Sequence, residues 1–134
     1  MIELRPPRRE DAAAISEAGK RFGLSDETAQ DIESWFDNPR MNMADDARVA
    51  VQDRQIVGYC DVGDRSGDGK LLWIDVRADA EALEPILAFA EGRARELAKP
   101  GGKAKAWSPE HNMEWRALLQ ARGFGGPSFS HLLE

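Results

Sequence analysis

Leu71-Leu72-Trp73-Ile74-Asp75-Val76 runs straight on into Arg77-Ala78-Asp79-Ala80-Glu81-Ala82-Leu83-Glu84-Pro85-Ile86, joining an almost continuous apolar run to the entry of a long amphipathic segment. A run of the first kind reads as a central strand covered on both faces. In the second, Leu83, Ile86, Leu87, Ala90, Ala94 and Leu97 recur on one side at helical spacing. Pro85 would disrupt a helix interior, so the regular helix is predicted to start near Glu84 rather than at Asp79. Arg93, Arg95 and Lys99 gather near its end, where cations suit the helix dipole. A strand that feeds a helix start is a place to hold phosphate, through free backbone N–H groups and the positive end of the dipole. This junction carries no glycine and three carboxylates, Asp79, Glu81 and Glu84. Like charges ~4 Å apart cost on the order of 1 to 4 kcal/mol per pair at surface dielectrics, so an anion is repelled here.

Towards the N-terminus the pattern alternates strand, helix, helix, strand. Ile2 to Arg5 reads as a short strand that Pro6-Pro7 ends, because neither proline donates to a ladder. From Arg8 a helix is predicted with Ala12, Ile15, Gly19 and Phe22 on one stripe and Gly23 as its stop. A shorter helix, capped by Ser25 or Asp26, places Ile32, Trp35 and Phe36 inward and ends before Pro39. Val49-Ala50-Val51 and Ile56-Val57-Gly58-Tyr59-Cys60 flank the polar link Gln52-Asp53-Arg54-Gln55, short enough for a hairpin. Gly63 to Gly69 is a loop by composition.

Beyond the long helix, Pro100-Gly101-Gly102 is a terminator and Lys103 to Trp107 a strand. Ser108-Pro109-Glu110 reads as a helix entry: a hydroxyl cap, proline at the first position, then an acid. Trp115, Leu118 and Leu119 form that helix's buried stripe, and Gly123 closes it. Phe124 and Ser128 to Leu133 suggest a last strand or strand pair.

A chain of 134 residues with these elements is expected to form one domain, residues 1–134, with a single core. Eighteen basic against twenty-four acidic residues give a net charge of −6, which argues against nucleic acid or an anionic membrane as partner. No apolar run approaches the ~20 residues that span a bilayer. With no secretory pattern at Met1 to Arg5, a cytoplasmic location is expected. Cys60, the one cysteine, falls inside an apolar strand and reads as a buried thiol. It makes no metal-ligand spacing with His111 and His131, so no metal site is expected.

The order strand, two helices, antiparallel meander, long helix, strand, helix, strand resembles the GNAT N-acetyltransferase fold over nearly the whole chain. Leu4-Arg5-Pro6 with Arg9-Glu10-Asp11-Ala12 is similar to the family's first strand and helix, and Gln55 to Tyr59 to its third strand. Leu72 to Val76 stands at its fourth strand, and Asn112 with Gly123-Phe124 matches the family's asparagine-to-Gly-Phe helix. The resemblance implies an α+β fold in α/β/α layers: a mixed, mostly antiparallel sheet of about six strands, with about four helices. It implies acetyl-CoA as cofactor, seated between the strands ending at Val76 and Trp107. Backbone groups of Ile74 and Val76 would hold the pantetheine, with Asn112 as a polar contact and Asp75 as general base. A hydrogen-bonded structural carboxylate is the other reading of Asp75.

The family's basic, glycine-containing pyrophosphate loop is absent between Val76 and Leu87, and Leu119 stands where the family often places an acidic tyrosine. The sequence therefore supports two functions. One is acyl transfer from acyl-CoA to a small amine, weak or absent in this chain. The other is a non-catalytic binding module, acting as a homodimer or with a second GNAT domain, whose open edge at Leu132-Leu133-Glu134 a partner completes.

Overall fold

A computed structural model describes residues 1–24, 27–126 and 129–133. Six strands form one sheet in the order β1 to β6: Glu3–Arg5, Ala47–Gln52, Gln55–Asp64, Leu71–Ala78, Lys103–Ala106 and Ser130–Leu132. All neighbours are antiparallel except β4 and β5, which run parallel because α4 crosses over between them. Among the described residues five α-helices accompany the sheet: α1 Ala12–Phe22, α2 Ala29–Trp35, α3 Met43–Asp46, α4 Leu83–Leu97 and α5 Met113–Ala121. Two 3-10 turns, Arg9–Asp11 and Ala80–Ala82, lead into α1 and α4.

The sheet is covered on both sides. On the back, Cys60, Val62, Leu72, Ile74, Val76 and Ala78 pack against Leu83, Ile86, Leu87, Ala90 and Ala94 of α4, joined by Trp115 and Leu119 of α5. On the front, Val49 and Tyr59 meet Ala12 and Ile15 of α1 and Ile32 of α2. Cys60 is fully buried, and burial pushes its thiol up, so the sulfur stays protonated. The β2–β3 hairpin turns on Asp53 and Arg54, both left-handed at φ 51° and 66°, the pair of values a two-residue turn of matching twist requires.

Several boundaries differ from the sequence reading: β4 continues past Val76 to Ala78 and β5 stops at Ala106, one residue short of Trp107. The fourth helix of that reading becomes the fifth, because Asn42 caps the extra short turn Met43–Asp46 by accepting the Asp45 amide. Thr28 caps α2 in a reciprocal box with Asp31; the expected caps Ser25 and Asp26 lie outside the described residues. Strand β3 continues past Cys60 to Asp64, since Asp61 to Asp64 pair with Leu72 to Asp75. The last helix starts at Met113, not after Ser108: Asn112 accepts the Trp115 amide at 3.1 Å, and Ser108 turns its hydroxyl to the Pro109 carbonyl instead. Ser128 and Glu134, placed in the final strand by sequence, also lie outside the described residues.

Gly58 shows how closely α4 sits on the sheet. A Cβ there would lie 2.5 Å from Ile86 Cδ1 and 2.9 Å from the Cβ of Ala78. Gly58→Ala is therefore expected to cost ~1 to 3 kcal/mol by overpacking, read as a lower urea midpoint. A midpoint equal to the wild type's would show that α4 has room to move.

Candidate functional site

The front groove is built by strand register. β3 and β4 pair with Tyr59 opposite Arg77, Asp61 opposite Asp75 and Gly63 opposite Trp73. Side chains alternate along a strand, so this set faces the front while Leu72, Ile74 and Val76 face the back core. Asp61, Gly63, Trp73 and Asp75 of this set, with Glu27, Trp35, Met41, Asp46 and Trp107, line a groove of about 600 Å³, and Tyr59 and Arg77 stand beside it against Asp61 and Asp75.

Charge is concentrated at its floor. The Tyr59 hydroxyl donates to Asp61 Oδ2 at 2.7 Å. Arg77, only 4% exposed, lies over the Trp35 ring at 4.8 Å and near Tyr59 at 5.9 Å. Its Nη2 is paired with Glu27, and its Nη1 stands 3.8 Å from Asp75 Oδ2. Burial, and then the charge of Asp75 across the strand pair, push the Asp61 carboxyl up to about 7. The Tyr59 hydroxyl, Arg77 and Arg65 pull the other way without offsetting this. A carboxyl poised there exchanges its proton near neutrality, as a general base must. Burial and the neighbouring Asp61 push the Tyr59 phenol well above its usual range, so it remains a donor.

A second feature lies at the end of the parallel pair. β4 and β5 are in register from Leu71–Lys103 to Ile74–Ala106 and then part. Phe22, from α1 on the front, meets Trp115, from α5 on the back, with ring centroids 6.0 Å apart and edge to face. Asn112 draws the two sides together, since its Nδ2 donates to the Phe22 carbonyl at 3.1 Å while its Oδ1 caps α5. Gly23 brings α1 so near that a Cβ there would be 2.9 Å from the Cβ of Pro109. At the opposite lip, Arg21 Nε donates to Asp79 Oδ1 at 2.7 Å, and the Asp79 amide donates to the Val57 carbonyl at 2.8 Å.

An acyl-CoA needs this gap for its pantetheine arm and the entry of α4 for its pyrophosphate. The residues present do not fit it. Phe22 and Trp115 meet edge to face beside the gap, the Asp79 amide is already bonded, and the entry carries Asp79, Glu81 and Glu84, of which Asp79 is paired with Arg21 and Glu84 lies 3.7 Å from Arg122. Both polar ends of Asn112 are engaged within the protein. Ile74 pairs with Ala106, and Val76 lies just past the end of that pairing. Leu119 is wholly buried. Among the described residues no group of three or more His, Cys, Asp or Glu side chains is arranged to hold a metal ion.

Of the residues singled out in the sequence, Asp75 and Trp73 reach the groove, and half-exposed Trp107 forms part of its wall. Asp61, Tyr59 and Arg77 were missed. Extending the alternation of Tyr59 by two residues places Asp61 on the same face, a signal hidden because the apolar run breaks at Cys60. His111 is exposed, and His131 packs on Phe124 at 5.2 Å.

The fold is that of the GNAT N-acetyltransferases. A GCN5-related N-acetyltransferase from Sphaerobacter thermophilus matches with a TM-score of 0.75 at 16% identity, over 92% of this chain and 43% of that one. This chain thus spans less than half of that protein. Diaminobutyrate acetyltransferase EctA from Paenibacillus lautus, in complex with its substrate L-2,4-diaminobutyric acid and coenzyme A, matches with a TM-score of 0.67 at 15% identity, over 91% and 74%. The yncA protein from Salmonella typhimurium, with its cofactor acetyl-CoA, matches with a TM-score of 0.71 at 18% identity, over 92% and 79%. No family model matches the sequence, and no curated protein does. Among the described residues no helix is long and apolar enough to cross a membrane.

Proposed function

We propose that this chain is a domain of N-acetyltransferase lineage. In this reading its front groove keeps the amine-receiving half of acyl transfer, while the acyl-CoA half is closed, so that turnover by this chain alone is weak or absent. The observation that carries the reading is the facing pair Asp61 and Asp75, contacted by Tyr59 and Arg77, in a groove walled by tryptophans. An ammonium entering there meets two facing carboxylates. Its N–H proton passes to the ionised Asp61, leaving a neutral amine and a carboxylic acid whose proton affinity suits that exchange near neutral pH. Asp75, more open to water, faces it across the strand pair. Two of the solved structures of this fold are described with coenzyme A or acetyl-CoA, and one of them with an amine substrate, which supports the lineage.

The Phe22–Trp115 contact and the engaged Asn112 beside the end of the β4–β5 pair favour a second reading, in which the domain binds an amine without acylating it, as one half of a homodimer or beside a second GNAT domain. Calorimetric titration with acetyl-CoA separates the two. The expected result is no saturable heat at millimolar cofactor for the wild type, and recovered binding in a variant whose 79–84 loop is rebuilt with glycines and arginine. Equal binding in both proteins would overturn the closed-site reading. Failure of both to acetylate any amine, once the rebuilt variant binds cofactor, would leave the binding module.

A further inference from the structure

The carboxylates of the groove already have counterparts. Glu27 is paired with Arg77, Asp46 holds Arg93 at 2.7 Å, and Asp64 accepts from the Ser66 hydroxyl and the Gly67 and Gly69 amides. Asp61 accepts from the Tyr59 hydroxyl, and Asp75 stands 3.8 Å from Arg77. The cations of the groove are less well served. Arg40 and Arg65 both line it and are exposed, and neither guanidinium has an ion pair or hydrogen bond among the described residues. Beside the floor, the almost wholly buried Arg77 has no acceptor for Nε or Nη1 among the described residues. What the groove leaves unsatisfied is therefore N–H donors, and the group that answers them is an oxyanion.

Arg65 is placed to receive one. Its guanidinium lies over the Trp73 ring, 5.2 Å from the centroid. A guanidinium held by its face keeps its N–H groups directed outward in its own plane, where the two oxygens of a carboxylate match the fork. Strand register supplies a second cation. Lys105 on β5 pairs with Trp73 on β4, and since Ala104 and Ala106 are buried in the back core, Lys105 faces the front. Positive side chains thus flank Trp73 from two elements, the loop after β3 and strand β5. Trp107, two residues beyond Lys105, is 52% exposed at the edge of the groove and offers apolar area and a π-face to a ring.

We propose that the groove binds an aromatic carboxylate, its carboxylate taken by the Arg65 fork with Arg40 and Lys105 alongside, and its ring lying against Trp107. A single negative charge suits the place better than the double charge of a phosphate monoester, because Asp64 and Asp75 line the same groove. A ligand of that shape fits a cavity of about 600 Å³ with room for a substituted ring. The inference goes beyond proton acceptance by Asp61 and depends on neither an amine nor acyl-CoA.

The test is calorimetry on the whole chain with 3-phenylpropionate, phenyl phosphate and 3-phenylpropanol as probes. Saturable binding of 3-phenylpropionate is expected, with phenyl phosphate weaker and the alcohol not binding. Arg65→Gln, at an exposed side chain, should weaken 3-phenylpropionate by roughly tenfold or more, the worth of one charge-assisted hydrogen bond, and Arg65→Lys should restore only part of the loss. Trp107→Ala, also exposed, should weaken it by roughly threefold to tenfold through lost aromatic contact. Asp75→Asn removes an anion from the same groove and should leave the affinity equal or raise it. No saturable heat with 3-phenylpropionate, the alcohol or the phosphate binding as tightly, an affinity untouched by Arg65→Gln and Trp107→Ala, or a loss on Asp75→Asn would each overturn the proposal. Because no arm contains an amine or acyl-CoA, such a failure would leave the acyl-transfer reading standing.

Discussion

Asp61→Asn is expected to make the protein more stable than the wild type by about 2 kcal/mol at pH 8, with the gap closing as the pH falls towards 4. In the folded state the Asp61 carboxyl titrates at about 7, against an ordinary value of 3.8, chiefly because burial and then Asp75 oppose its charge. The folded state therefore binds the proton more tightly than the unfolded chain. Between these two values unfolding releases a proton, so rising pH favours the unfolded state. Each tenfold change in proton affinity is worth ~1.4 kcal/mol, and solvent at the groove screens part of the total, leaving about 2 kcal/mol. Asparagine keeps the shape and can still accept from Tyr59, but carries no charge. The groups that set the titration are Asp75 and Arg77 on β4, Tyr59 on β3 and Arg65 in the following loop. Denaturant unfolding of both proteins at several pH values reads the gap directly. A gap that stays constant from pH 4 to 8 would mean that Asp61 is ionised throughout, and the groove would lose its base of near-neutral proton affinity.

The contrast between what the sequence told and what it withheld follows from how local each signal is. The helix stripes, the Gly23 stop and the apolar β4 run depend on spacing within one segment, and they fall where expected. The two-sided covering of β4 was legible for the same reason, and with it the frontward direction of Asp75 and Trp73. Asp61 and Arg77 were not legible, because their importance comes from the β3–β4 register and from Trp35, which is distant in sequence. The start of α5 was misread since Ser108-Pro109 satisfies every local rule for a helix entry. Asn112 wins because it serves two partners at once, the Trp115 amide and the Phe22 carbonyl, and the second lies 90 residues away. The acidic entry to α4 was visible as composition, but the aromatic closure beside it required Phe22 and Trp115 to meet across the sheet.

That closure carries the largest stability effect expected for this protein. Trp115 is fully buried, touches Phe22 edge to face, and donates its indole N–H to the Trp107 carbonyl at 3.0 Å. Trp115→Ala removes the largest wholly buried side chain from the junction of α1, α5 and the parted strands, and should cost ~3 to 5 kcal/mol. Trp115→Phe keeps most of the packing while leaving the Trp107 carbonyl without its donor, so about 1 to 2 kcal/mol is expected. Urea unfolding of the two variants, with calorimetric titration of acetyl-CoA on whichever remains folded, separates packing from access. If filling of the gap were the sole obstacle to cofactor, the folded variant would gain affinity. The entry of α4 still has no glycine, Glu81 and the paired Asp79 and Glu84 still stand at it, and the Asp79 amide still belongs to Val57, so opening the gap is expected to lower stability without admitting acetyl-CoA. Binding gained on Trp115→Phe alone would transfer the decisive role from charge to packing.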